Sequence, residues 1–154
     1  MVSIIYSAHL TVLFKPQTAE GANPGIRVDY LADTLKVALM DVNHVAVHTN
    51  TYWSEISVNE LPPAGGYADD GKTLSSKTVI NHTGNGEGQF DAADIQWTGA
   101  DFTANHAVLW KDDGIAHSSS PVLASWDFGG GKSVSGGTFK IQWGTDGILN
   151  FTSP

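Results

Sequence analysis

The feature that most constrains this chain is a recurring one: short alternating apolar runs, each closed by a cluster of Gly, Asn, Asp or Pro. Residues 34–40 place Leu35, Val37 and Leu39 on one side. Residues 121–128 hold Val122, Ala124, Trp126 and Phe128 in phase, and residues 138–143 do the same with Phe139, Ile141 and Trp143. Shorter or less regular runs occupy 73–80, with Leu74 and Val79 as apolar positions, 95–97, 106–111 and 148–151. A period of two is that of a strand with one buried face. Turn signals at 62–66, 84–88, 112–114, 129–131 and 146–147 separate the runs, because Gly supplies positive φ and Asp or Asn bonds its own backbone. No stretch sustains the 3.6-residue period between caps, so no long helix is expected. Seven or eight strands at a spacing of about 10–15 residues predict an all-β, single-domain antiparallel sandwich or jelly-roll-like barrel with short helical turns at most.

Two local predictions go further. Residues 138–143 and 148–151 are expected to pair as a hairpin, since Asp146-Gly147 supplies the positive φ that a tight turn needs. Residues 53–56 are expected to form one helical turn with Ser54 as its cap. Residues 30–154 form the body of the single domain, and residues 1–29 an N-terminal strand or arm followed by a loop. Met1 to Phe14 is apolar but lacks a cationic start, a cleavage pattern or 18 continuous apolar residues. Neither a signal peptide nor a transmembrane helix is expected. Leu10, Val12 and Phe14 alternate like a strand, which either completes the protein's own sheet or docks on a neighbour by strand addition.

The chain has 154 residues, 16 acidic and 8 basic side chains, a formal charge of −8 and no cysteine. Absence of cysteine excludes disulfides, thiolate metal sites and a cysteine nucleophile. An acidic chain without a basic run is a poor match for phosphate backbones, so no nucleic-acid partner and no membrane partner are expected. The glycines and many of the acids share the turn clusters, so the charge reads as the loop surface of a soluble β domain.

Each residue that could carry chemistry also has a blander structural role open to it. His44 and His48 have a metal-like i, i+4 spacing, but no Glu follows His44 and no third ligand is evident. Asp69-Asp70-Gly71, Asp112-Asp113-Gly114 and Asp146-Gly147 resemble pieces of calcium loops without the full ligand spacing, and read first as turns. Asp91 and Asp94 beside Trp97 are a solvated turn before they are a hydrolytic pair. Ser118-Ser119-Ser120 lacks a nucleophile motif, and neither the glycines at 84–88 nor those at 129–131 open a phosphate-binding helix. No catalytic, cofactor or metal residue is therefore assigned, and no enzyme activity is expected. Of the five tryptophans, Trp126 and Trp143 sit in phase with core positions and are expected to be buried. Trp53 and Trp97 are the two whose phase leaves room for an exposed binding platform, whereas Trp110 lies in the 106–111 run.

Four stretches, taken together and in order, resemble a family of small tailed-bacteriophage virion proteins. They are Ala32-Asp33-Thr34-Leu35-Lys36-Val37-Ala38-Leu39; Ser57-Val58-Asn59-Glu60 with Gly65-Gly66-Tyr67-Ala68-Asp69-Asp70-Gly71-Lys72-Thr73-Leu74; Phe90-Asp91-Ala92-Ala93-Asp94-Ile95-Gln96-Trp97 with Ala107-Val108-Leu109-Trp110; and Asp127-Phe128-Gly129 with Phe139-Lys140-Ile141-Gln142-Trp143 and Gly147-Ile148-Leu149. The resemblance runs from about residue 30 to the end. It implies a non-enzymatic β-rich structural protein of the particle: a capsid decoration, or cement, protein. Such a protein would sit as a trimer on the capsid surface after assembly in the host cytoplasm, with the major capsid protein as partner. It implies no catalytic residues. The residues before 30 depart from the family's pattern.

The physical character agrees. Net negative charge keeps free copies apart, and a cysteine-free chain suits a reducing compartment. The rival reading is a tail or head-fibre adhesin that recognises a host glycan, for which Trp53 and Trp97 in an exposed cleft would be the sign.

Overall fold

The computed structural model describes residues 2–6, 27–82 and 87–152. Among these residues eight strands follow in chain order: β1 Val2–Ile5, β2 Thr34–Met40, β3 Lys72–Thr73, β4 Thr78–His82, β5 Glu87–Asp91, β6 Ile95–Asp112, β7 Val122–Ile141 and β8 Leu149–Thr152. A five-stranded sheet runs β1-β7-β6-β2-β3 and a three-stranded sheet runs β4-β5-β8. All strand pairs are antiparallel. The expected all-β sandwich is the fold.

The alternation in β2 explains how the large sheet is covered on both faces. Leu35, Val37 and Leu39 point into the main core with Leu109, Ala124, Phe90 and Leu149, which joins the two sheets. Ala38 and Met40 point the other way and join Tyr6, Val108, Trp110 and Val122 under Trp53 and Ile56. The small sheet therefore packs on one face. On the other lies a layer of loop, residues 41–59, containing two single 3₁₀ turns at Trp53–Glu55 and Ser57–Asn59. Residues 60–74 then line the outer edge of β2: Glu60 bridges Met40, Leu61 N–H donates to Leu39 O, and β3 pairs with Lys36 and Val37.

Several expectations change. The runs at 95–97 and 106–111 are one strand, and those at 121–128 and 138–143 are another, forming a single long hairpin. The glycines between them are bulges inside it. Between Ala104↔Lys132 and His106↔Asp127, one β6 residue faces four on β7, with Gly129 and Gly130 both at positive φ. The 144–147 turn forms, with Gly147 N–H donating to Gly144 O, but the predicted hairpin does not. Ile148 N–H donates to Phe90 O at 2.8 Å and leads β8 to pair with β5 in the other sheet. The 73–80 run is split between the sheets, broken at Ser76, whose φ is +52°. The turn at 53–56 is 3₁₀, entered from Tyr52 without a side-chain cap, so Ser54 is not its cap. At the N-terminus, β1 pairs with Ala124 to Asp127 of β7 and so completes the protein's own sheet. Residues 7–14, which carry Leu10, Val12 and Phe14, lie outside the described residues.

Candidate functional site

The loop layer over the second face is where the polar and aromatic side chains concentrate, and its geometry follows from Trp53. The ring of Trp53 is fully buried and stacks on Trp110 of β6, with centroids 4.8 Å apart and planes 6° from parallel. Trp53 N–H donates to Ser120 O and Ser54 N–H to His117 O, which ties the layer to the 113–121 loop. The indole Nε1 donates to Asp70 Oδ1 at 3.3 Å, and His117 Nε2 lies 3.0 Å from the same oxygen. His117 also meets both indoles edge-on. An aromatic stack with one carboxylate and one imidazole at its rim results.

Beside it, Tyr67 OH donates to Glu60 Oε1 at 2.6 Å and accepts from Leu39 N–H. Burial pushes the Glu60 carboxyl up to about 7, against the pull of the Tyr67 hydrogen bond. Asp70 and Asp69 nearby raise it further. At the other end of the layer His44 is buried, with Nε2 3.3 Å from Ser125 Oγ and its ring 5.2 Å from that of His106. Loss of water lowers His44 to about 4, and His106 adds repulsion. His106 Nδ1 is 3.9 Å from Asp127.

The sequence candidates distribute as follows. His44 is buried and His48 exposed, so the two do not converge, and among the described residues no group of three His, Asp or Glu side chains could hold a metal. Asp113 caps its own turn: hydrogen bonds from Ser119 and from Ile115 N–H hold its carboxyl at about 2. Ser120 is buried and bonds Asp113 and Ala116 O, which gives the serine triplet a structural role. Asp94 accepts from Trp143 N–H and pairs with Lys140 at 2.7 Å, while Asp91 accepts from Ala92 N–H. The glycines at 84–86 lie outside the described residues.

The tryptophans resolve clearly. Trp53 and Trp97 are 0% and 1% exposed, so neither forms an exposed platform. Trp97 is core because it packs among Tyr67 and Phe139 under Lys72. Trp126 is buried as its phase predicts. Trp143 is only half-buried, its ring 5.5 Å from Trp126 and its Nε1 donating to Ala93 O, because it lies past the end of β7 at the rim of the sandwich.

Sequence reading missed the exposed Val42, Val45, Val47, Val58 and Ile115, all on this layer and the loop beside it. The signal was present: residues 41–71 contain five acids and no Lys or Arg. No family model, curated protein or solved structure matches the chain.

Proposed function

We propose that this chain is a structural protein of a tailed-bacteriophage particle, a decoration protein that binds the outer capsid surface and bridges major capsid subunits. The stretches that carry the resemblance are spread over β2, β3, β5, β6, β7 and β8, so the likeness involves the framework of the sandwich and not one local motif. The observation that carries the reading is the open edge of the longest strand. β1 covers β7 only at Ala124 to Asp127. From residue 128 to 140 the outer edge of β7 has no strand partner among the described residues, and most of its residues are exposed. An unpaired edge accepts a strand from another chain, which is the contact a shell subunit could make. On the capsid the chain acts as a trimer.

Purified protein mixed with capsids that lack it tests this. The expected result is saturable binding and higher heat resistance of the shell; no binding and no gain in heat resistance reject it. Burial of Trp53 and Trp97 removes the feature that favoured a glycan adhesin.

A further inference from the structure

We propose that the loop layer of residues 41–59, together with the adjoining segments 60–71 and 113–121, is a docking face for a protein surface that presents an apolar patch ringed by Lys and Arg. This rests on the capsid-binding reading and names the contact face. Two independent observations converge on it. First, these segments hold Asp41, Glu55, Glu60, Asp69, Asp70 and Asp113 but none of the eight Lys and Arg residues, so they carry a formal −6 of the chain's −8. The bases lie elsewhere, several of them paired: Lys36 with Asp112, Lys111 with Asp33 and Lys140 with Asp94.

Second, of the nine large exposed apolar side chains among the described residues, five sit on the same segments: Val42 71%, Val45 70%, Val47 42%, Val58 84% and Ile115 86% exposed. Scattered exposed apolar residues are ordinary on a protein surface; their concentration within the most acidic segments is the informative part. The acids and valines interleave. Val42 follows Asp41, whose N–H donates to Asn59 O beside Val58, and Val47 O accepts from Asn50, which Glu55 holds. Asp113 fixes the N–H groups of Ile115 and Ala116.

Two consequences follow from these bonds. Apart from His117 against Asp70, the groups that bond these carboxylates are neutral: backbone N–H groups, Asn43, Asn50, Ser119, Ser120, Tyr67 and the Trp53 indole. Apart from Glu60, whose burial leaves its carboxyl partly protonated near neutral pH, little of the negative field is cancelled internally, and it favours a basic partner while disfavouring nucleic acid and anionic bilayers. The same bonds hold the loops in place, and β-branched side chains have few rotamers to lose, so docking here costs little ordering. A bridging protein needs more than one contact surface, and this face is separate from the open β7 edge.

The test uses capsids lacking the chain and compares wild type with V45D/V58D/I115D, all at exposed positions, and with Val79→Asp on β4 as control, where Val79 is 56% exposed. Circular dichroism verifies folding of each. The triple variant is expected to bind at least about tenfold more weakly and the control to stay within about twofold. Salt that shortens the Debye length from about 10 Å to about 3 Å should weaken wild-type binding several-fold. Asp69→Lys should weaken binding and flatten that salt dependence without touching the apolar residues. Unchanged binding by the triple variant while wild type binds overturns the face and leaves the capsid reading standing, as does an equal loss in the Val79→Asp control. Failure of wild type to bind overturns both.

Discussion

A buried histidine in the loop layer and a part-buried carboxyl beside it titrate in opposite directions over the same pH range, and their effects on stability should largely cancel. His44 is 2% exposed and its pKa falls from 6.5 to about 4. The unfolded chain takes up this proton near pH 6.5 but the folded chain only near 4, so stability is full above 6.5 and lost as pH falls toward 4. At 1.36 kcal/mol per unit the loss is about 3 kcal/mol. Glu60 moves the other way, from 4.5 to about 7. Its unfolded form ionises first, so stability is full below 4.5 and lost as pH rises to 7. Because Glu60 is only part-buried, partial screening reduces this to about 2 kcal/mol. The groups facing His44 are His106 from β6, Ser125 from β7 and Asp41 from its own loop; those facing Glu60 are Tyr67, Asp69 and Asp70.

Urea midpoints between pH 4 and 8 for wild type, Glu60→Gln and His44→Phe separate the two. Relative to wild type, Glu60→Gln should gain stability as pH rises, and His44→Phe should gain it as pH falls. Differences against wild type cancel the acid loss shared by the low-pKa carboxyls Asp29, Asp94, Asp112 and Asp113. Difference curves that are flat, or that slope the same way, would refute the assignment.

Other consequences are simpler to measure. Trp53→Ala removes the stacked ring that fastens the layer to Trp110 and should cost about 3–5 kcal/mol in chemical denaturation; a loss below about 1 kcal/mol would mean the layer is not anchored there. Trp143→Ala, at the half-buried rim, should cost only about 1–2 kcal/mol by the same assay. Gly71→Ala should lower the melting temperature far more than Gly129→Ala. Both have a φ of +70°, but a Cβ at 71 would lie 2.0 Å from Val37 O while one at 129 meets nothing within 4 Å; the second should cost only about 1 kcal/mol.

Strand content was legible because a buried face imposes a period of two, and β2 shows it with Leu35, Val37 and Leu39 in one core and Ala38 and Met40 in the other. Partner choice was not. Gly129-Gly130-Gly131 has the same local chemistry whether it ends a strand or bulges within one, and only the long pairing of β7 with β6 decides. Asp146-Gly147 specifies a turn but not where the next strand goes; Phe90 O receiving Ile148 N–H settles that. Trp53 stands outside any alternating run, so its burial depends on Trp110, 57 positions away in the sequence. The acidic, Lys- and Arg-free stretch was readable from composition, but its coincidence with exposed valines required the fold.

The most direct test of the account is the number of copies of this chain per particle, counted by quantitative mass spectrometry of purified virions and of empty shells. A decoration protein on the capsid lattice predicts copies in the hundreds, retained on tail-less shells. A handful of copies per particle, or copies that leave with the tail, would contradict it.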